Sequence, residues 1–266
     1  MQEDVLLKFK QIQKASWGLF APLEIVTTMP AANLVKFSEA QSSDTILDVG
    51  CGTGVVAITA ARLSATVSGL DLSPALIERS RENANTAGVD VDFQEGDVEA
   101  LPYKDNAFDV VLSQFGHMFA PRPQIAIQEM LRVLKPGGTM AFSTWPPDLY
   151  VGRLFSLVAK YSPPPIGISS SSLWGDPTFV REQLGNAVVG LTFDQGIMQF
   201  PALSFGHYCH SIETTLGPIL KLVQESKNDA TALNQFRNEL KTLVNPYFCD
   251  NHIRQHYLMS RAKKKF

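Results

Sequence analysis

The stretch that most constrains this chain is residues 45–54. Thr45-Ile46-Leu47-Asp48-Val49 is a short apolar run rich in β-formers, the length of one buried strand. Gly50-Cys51-Gly52-Thr53-Gly54 follows at once, with glycine at alternate positions, and residues 55–63 then read as a helix. A strand, a glycine turn and a helix bring backbone N–H groups and a helix N-terminus against one ligand, with no side chains in the way. Asp48, at the end of the strand, adds a carboxylate facing the same crevice. The glycines suit a nucleotide-like ligand. The carboxylate repels a pyrophosphate and attracts a sulfonium or ammonium group, so the ligand is not a bare polyphosphate.

The residues around this stretch repeat its rhythm. Residues 65–71 read as a second buried strand ending in Asp71. Ser73-Pro74 is an N-cap followed by proline at the first helical position; the helix runs to Ala87, and Gly88 suits a left-handed residue beyond its end. Residues 89–94 form a third strand ending in Glu95-Gly96-Asp97, 108–113 a fourth and 124–134 a helix, and Lys135-Pro136-Gly137-Gly138 turns the chain into a fifth strand over 139–145. Strands alternating with helices at this spacing predict a parallel sheet covered on both faces, with ligands at the carboxyl ends of its strands. Asp48, Asp71, Asp97 and Ser113 stand at four such ends.

Outside this region the rhythm breaks. Residues 3–16 read as an amphipathic helix. Residues 17–39 form a second helical stretch interrupted at Pro22 and Pro30, whose aromatic end at Trp17 either closes over a ligand or packs on the sheet edge. After Pro146, helices are expected at 150–161, 176–184, 205–224 and 231–243, strands at 188–193 and 197–200, and a last strand at 253–262. Residues 162–172, rich in proline and serine, make a lid or a surface connection. The resulting division is a helical cap (1–41), a ligand-binding core (42–146), a variable substrate-side region (147–252) and a final core strand (253–266). A length of 266 residues, 45% apolar, suits one large domain with a full core. The net charge of −3 gives no nucleic-acid surface, and no apolar run has the length of a bilayer span. Cys51, Cys209 and Cys249 lack metal-site spacing and suit a reducing compartment, so a cytoplasmic protein without a metal is expected.

The glycine turn alone is a weak signal, because dinucleotide folds share it. Here, though, the glycine after Gly52 comes two residues on rather than three, and no lysine lies between Lys36 and Lys104 to complete a phosphate loop. Asp71 lies 17 residues after Gly54, where a carboxylate accepts hydrogen bonds from both hydroxyls of an adenosine ribose. Ser73 already supplies the helix cap, which frees Asp71 for that role. Asp97 suits an adenine amino group, with Leu72 and Val98 on either side of the ring.

With these residues in view, 44–146 resembles the core of class I S-adenosylmethionine-dependent methyltransferases, nearest the type 11, UbiE-like small-molecule group. The resemblance is carried by 46–54, by Gly69-Leu70-Asp71-Leu72-Ser73, by Gly96-Asp97-Val98-Glu99-Ala100-Leu101-Pro102, by Phe108-Asp109-Val110-Val111 and by Leu131-Arg132-Val133-Leu134-Lys135-Pro136-Gly137-Gly138. It implies an α/β, doubly wound seven-stranded sheet of order 3-2-1-4-5-7-6 with an antiparallel last strand. It also implies S-adenosyl-L-methionine as cofactor and S-adenosyl-L-homocysteine as product. Gly50 and Gly52 would face the methionine part, with Cys51, Thr53 and Gly54 completing the loop; Asp71 and Leu72 would meet the ribose, Gly96, Asp97 and Val98 the adenine. Ser113, Gln114 and Phe115 would line the fourth strand's end.

The chemistry so implied is an in-line displacement that needs alignment in a dry site and no metal. His117, just past the fourth strand, is either a base toward the acceptor or a polar wall beside the cofactor. Phe115, Phe119, Trp145, Tyr150, Trp17 and Trp174 supply aromatic groups that suit an apolar or flat acceptor, or form ordinary core. Two other functions share the pattern: a non-catalytic cofactor-binding scaffold, and a nicotinamide-dependent oxidoreductase. The sequence names neither the acceptor nor an oligomeric state.

Overall fold

A computed structural model of the chain describes residues 2–63, 65–226 and 230–266. Met1, which falls in the expected helical cap, lies outside them. The strands are β1 (Thr45–Val49), β2 (Thr66–Asp71), β3 (Asp92–Glu95), β4 (Phe108–Gln114), β5 (Leu134–Thr144), β6 (Val188–Pro201), β7 (Phe248–Cys249) and β8 (His252–Lys264). They form one sheet of order β3-β2-β1-β4-β5-β8-β6, with the two-residue β7 paired to β8 off this path. Pairings among β1 to β5 are parallel, and β8 runs antiparallel between β5 and β6. The order is the expected one, with β8 as the antiparallel last strand and β7 as a small addition.

Alternation along the central strands decides which helices cover which face. In β4, Val110 and Leu112 point to one side and Val111 to the other; in β1, Ile46 opposes Leu47 and Val49. The first side packs on α2 (Glu24–Ser38), α3 (Val55–Ala61) and α4 (Pro74–Ala87) through Ala31, Leu34, Val56, Ala60 and Ile77. The second packs on α5 (Pro123–Val133), α6 (Tyr150–Tyr161) and α7 (Pro177–Leu184) through Ile127, Met130, Leu154 and Val180. Burial on both faces explains why these strands read as unbroken apolar runs. In α4, Pro74 begins the helix and Gly88 (φ +65°) ends it in the left-handed region, as the sequence predicts.

Several expectations are corrected. Pro30 lies inside α2 without ending it, and Pro22 falls in a 3-10 segment, Trp17–Leu23, that joins α2 to α1 (Gln2–Ser16). Glu3–Ser38 is therefore one 36-residue helical run, long and apolar enough by length and composition to cross a membrane, where no such run was expected. Its α2 part is packed in the protein, with Ala31 and Leu34 fully buried. The helix expected over 205–224 is two, α8 (Phe205–Thr215) and α9 (Gly217–Glu225), because Pro218 cannot continue α8. α10 (Thr231–Val244) follows. The strands expected at 188–193 and 197–200 are one, β6, whose register slips between Val189 and Thr192 around Gly190 (φ +64°). β5 starts at Leu134 rather than beyond the glycine turn, with a register shift opposite Phe108 and Val110. The connection at residues 162–170 is a surface segment, and Ile166 stands fully exposed.

The loops after β1 and β4 meet backbone to backbone. A Cβ on Gly116 would lie 2.7 Å from the Gly50 carbonyl oxygen, and one on Gly50 would lie 2.8 Å from the Gly116 Cα. Gly116 has φ −91°, which alanine adopts freely, so replacing it tests the contact without backbone strain. Gly116→Ala should cost about 1–3 kcal/mol, the usual range for overpacking. Denaturant midpoints measure this, and an unchanged midpoint would mean that the two loops do not touch.

Candidate cofactor site

The glycine loop is held from inside the protein. Gly50 N–H and Cys51 N–H both donate to the Leu70 carbonyl (2.8 and 3.0 Å), Gly52 N–H to Asp71 Oδ2 (2.9 Å) and Gly54 N–H to the Cys51 carbonyl (2.9 Å). These donors were expected to face a ligand; they are satisfied within the fold instead. The start of α3 is treated alike: Ala57 N–H donates to Asp48 Oδ2 at 3.0 Å and Ile58 N–H to the Gly54 carbonyl. A loop whose amides are engaged offers a polyphosphate little, but it still offers a surface free of side chains. A Cβ on Gly52, at φ +56°, would find no atom within 4 Å, so Gly52 borders open space.

Asp48 differs from its expected place on the crevice wall. It is buried beneath the loop, tied to α3 through Oδ2, and its Oδ1 has no hydrogen-bond partner. Burial pushes its pKa up to about 7, with the nearby charge of Asp71 adding to the effect. Asp71, also buried, accepts from Gly52 N–H through Oδ2 and from Ser73 N–H through Oδ1 at 2.9 Å, and desolvation raises its pKa too. Ser73, expected to cap α4, makes no side-chain cap bond, and its Oγ is buried without a partner. The acid two residues before it takes Ser73 N–H instead, so Asp71 braces the loop as well as ending its strand.

Asp97 lies at the end of β3, where Oδ1 accepts from Glu99 N–H (2.9 Å) and Oδ2 from Lys10 Nζ (2.6 Å). Leu72 and Val98 are half-buried nearby in sequence, and Gly96 packs on Leu70. Cys51 is buried, with its thiol pushed well up by desolvation, so its side chain belongs to the core and its backbone to the loop. Thr53 is buried, and its carbonyl accepts from Asn83 Nδ2 at 3.0 Å. That asparagine also donates to Glu24, which is paired with Arg79, so α2 and α4 are clamped together at the loop.

At the β4 end, Ser113 is fully buried as a brace: its Oγ donates to the Val49 carbonyl (2.6 Å) and accepts from His117 N–H (3.0 Å). Gln114 donates through Nε2 to the Thr27 carbonyl (2.9 Å), and its Oε1 has no partner. Phe115 sits at φ +58°, a strained position for a residue other than glycine, and stacks on Trp145. His117 is 1% exposed, between Phe142 (4.6 Å) and Trp174 (4.8 Å), and neither ring nitrogen has a partner. Burial lowers its pKa to about 3, which keeps the imidazole neutral. Sequence reasoning missed Lys10, Glu24, Asn83, Glu99 and Arg122, whose partners lie between 23 and 89 positions away.

A methyltransferase domain family matches residues 47–142. An uncharacterised protein of Mycobacterium tuberculosis is 32% identical over 222 residues, covering 83% of this chain and 81% of that one. This chain is a class I S-adenosylmethionine-dependent methyltransferase. The ubiquinone biosynthesis O-methyltransferase of Pectobacterium atrosepticum is 33% identical over 143 residues, 52% of this chain and 59% of that protein. The YcgJ crystal structure from Bacillus subtilis shares the fold, with a TM-score of 0.60 at 18% identity, over 90% of this chain and 99% of that one.

The residues of this methyltransferase fit S-adenosylmethionine on two structural counts. Asp48 Oδ1, buried without a partner, suits a ligand bearing positive charge, and the space beside Gly52 suits a ligand laid against bare backbone. Gly52→Val should therefore abolish S-adenosylhomocysteine binding in calorimetry. Because φ is positive there, some loss of stability will accompany it, on the order of 1 kcal/mol; retained binding would move the ligand off this loop.

Asp48 and His117 also set opposite pH dependences. The folded Asp48 keeps its proton, so its contribution to stability is present below pH ~4 and lost as pH rises through about 7. His117 is depressed, so its contribution is present above pH ~6.5 and lost as pH falls through about 3. The two slopes oppose each other between these limits. Asp48→Asn removes one, so its unfolding free energy relative to wild type should rise by about 1.4 kcal/mol per pH unit between roughly pH 4.5 and 6. A flat difference in urea titrations would show that Asp48 ionises as it does in water.

Proposed function

We propose that this methyltransferase acts on a small molecule with an apolar or flat body, by in-line displacement from S-adenosylmethionine beside the end of β4. One observation carries the reading: the buried aromatic cluster on residues after β4 and β5, which would form the back wall of an acceptor site. Phe115 and Trp145 stack with ring centroids 4.0 Å apart and planes 11° from parallel, and Tyr257 stands edge-on to Phe115 at 5.7 Å. Asn33 Nδ2 donates to the Tyr257 hydroxyl at 2.9 Å and fixes that ring. Holding a phenylalanine at positive φ costs on the order of 1–3 kcal/mol, and such strain collects where a side chain must point at a ligand. The net charge of −3 argues against a nucleic-acid acceptor.

The cofactor supplies an electrophilic methyl group when bound. The protein's contribution is alignment and exclusion of water: Gly52 clears the path, Asp71 and Asp97 suit the ribose and adenine, and the aromatic wall keeps the β4 end apolar. His117 is neutral over the physiological range, and its depressed pKa makes it a poor base. Its unpartnered nitrogens favour the wall role, donating or accepting one hydrogen bond to a bound group. We place this activity in the cytoplasm, since Cys51, Cys209 and Cys249 are all free thiols.

S-Adenosylhomocysteine release, followed with a panel of flat phenols, amines, aliphatic acids and oligonucleotides, tests the acceptor class. Turnover should occur with flat apolar compounds, and turnover with oligonucleotides alone would overturn the reading. His117→Phe should weaken S-adenosylhomocysteine binding about five- to tenfold, the value of one hydrogen bond. Turnover at saturating cofactor should stay within about twofold, well under one hydrogen bond; a large fall in that rate with cofactor affinity intact would make His117 the base instead.

A further inference from the structure

α1 differs from the other α-helices of the chain, each of which has buried residues, because none of residues 3–16 is buried. Val5, Leu7 and Ile12 stand exposed on it, so apolar burial is not what holds it in place. Its contacts with the body are polar and converge on one place. Lys10 Nζ bonds Asp97 Oδ2 at 2.6 Å and also Glu99 Oε2; Lys14 pairs with Glu95; Gln13 Nε2 donates to the Phe119 carbonyl at 3.1 Å. Trp17, just beyond the helix, packs on the Phe119 ring at 4.8 Å. The helix thus lies across the ends of β3 and β4.

Lys10 is not needed to neutralise Glu99. Arg122 already donates to that carboxylate from its backbone N–H (2.6 Å) and from its guanidinium (2.7 Å). What Lys10 adds is the link to Asp97, whose side chain among the described residues otherwise accepts only from Glu99 N–H. We propose that Lys10 is a positioning residue for the adenosine end of the cofactor. It fixes the orientation of the Asp97 carboxylate, and α1 is the strap that delivers it and slows cofactor exchange. The proposal rests on the assignment of Asp97 to adenine. Each Asp97 oxygen accepts one bond in the structure and retains a second lone pair, so Lys10 and a ligand amino group can share it. Because the strap is held by charge rather than by apolar burial, salt should loosen it.

The test uses calorimetry and stopped-flow release of S-adenosylhomocysteine, with 5′-methylthioadenosine and homocysteine as half-ligands. Lys10→Met should raise the Kd for S-adenosylhomocysteine and for 5′-methylthioadenosine about tenfold, the scale of one charge-assisted hydrogen bond, and leave homocysteine unchanged. Lys10→Arg should restore binding, which a merely structural role at this exposed helix would not require. In the wild type, release should speed up between roughly 50 mM and roughly 500 mM KCl, and this measurement stands if Lys10→Met fails to fold. Unchanged or tighter binding in Lys10→Met, or salt-independent release, would overturn the proposal. Asp97→Ala separates the two layers. If it weakens 5′-methylthioadenosine binding while Lys10→Met does not, the role of Lys10 alone falls. If neither substitution matters, the adenine assignment of Asp97 falls with it.

Discussion

The site depends on one carboxylate holding two backbone amides. Asp71, at the last position of β2, takes Gly52 N–H with one oxygen and Ser73 N–H with the other. Through the first bond it fixes a loop that has no side chains of its own to pack; through the second it sets where α4 begins. Hydrogen bonds to a charged acceptor are among the stronger polar contacts a protein makes, about 1.5–3 kcal/mol each. A glycine-rich segment loses much conformational entropy on ordering, so it needs such anchors. Leu70, one residue earlier, receives Gly50 N–H and Cys51 N–H. Two consecutive residues of β2 therefore define the path of the loop after β1.

This arrangement decides the chemistry of the ligand. In a phosphate-binding loop the amides at a helix N-terminus point outward and gather negative charge. Here they are turned inward, onto Leu70, Asp71, Asp48 and Cys51. The remaining features of the crevice are bare backbone at Gly52 and acids at the strand ends. Such a surface is hostile to pyrophosphate and suited to a nucleoside carrying positive charge, which S-adenosylmethionine is. The nicotinamide alternative fails for the same reason that the methyltransferase reading succeeds.

Much of this was legible in the sequence, because the signals are local. The alternation of strand and helix, Pro74 and Gly88 at the ends of α4, and the acids closing β1, β2 and β3 all lie within a few residues of the structure they specify. Legibility failed where a distant partner sets the outcome. The Asp48 carboxylate seemed to face a crevice, because its sequence does not show that Ala57 N–H waits beneath the loop. Ser73 seemed to be a cap, until Asp71 took its amide. The Lys10–Asp97 and Lys10–Glu99 pairs join residues 87 and 89 positions apart, and no pattern of period 2 or 3.6 carries that information. β6 was divided in two at residues 194–196, and the long antiparallel pairing with β8 runs straight through all three.

The strand ends also crowd negative charge, and the fold relieves it in two ways along the sheet. At the buried end, no basic partner of Asp48 or Asp71 is found among the described residues, and desolvation raises the pKa of both. Farther along the sheet, Asp97 and Glu99 are instead paired with cations, Lys10 and Arg122. The two solutions differ in what they leave for a ligand. A buried acid without a basic partner is stabilised in its charged form by a positive charge held nearby. A carboxylate already paired with lysine gains little from charge and keeps only its lone pairs for a neutral donor. S-Adenosylmethionine has that same polarity, cationic at its methionine and sulfonium end and neutral at its adenine, and the gradient in how the acids are satisfied would orient it in one direction along the strand ends.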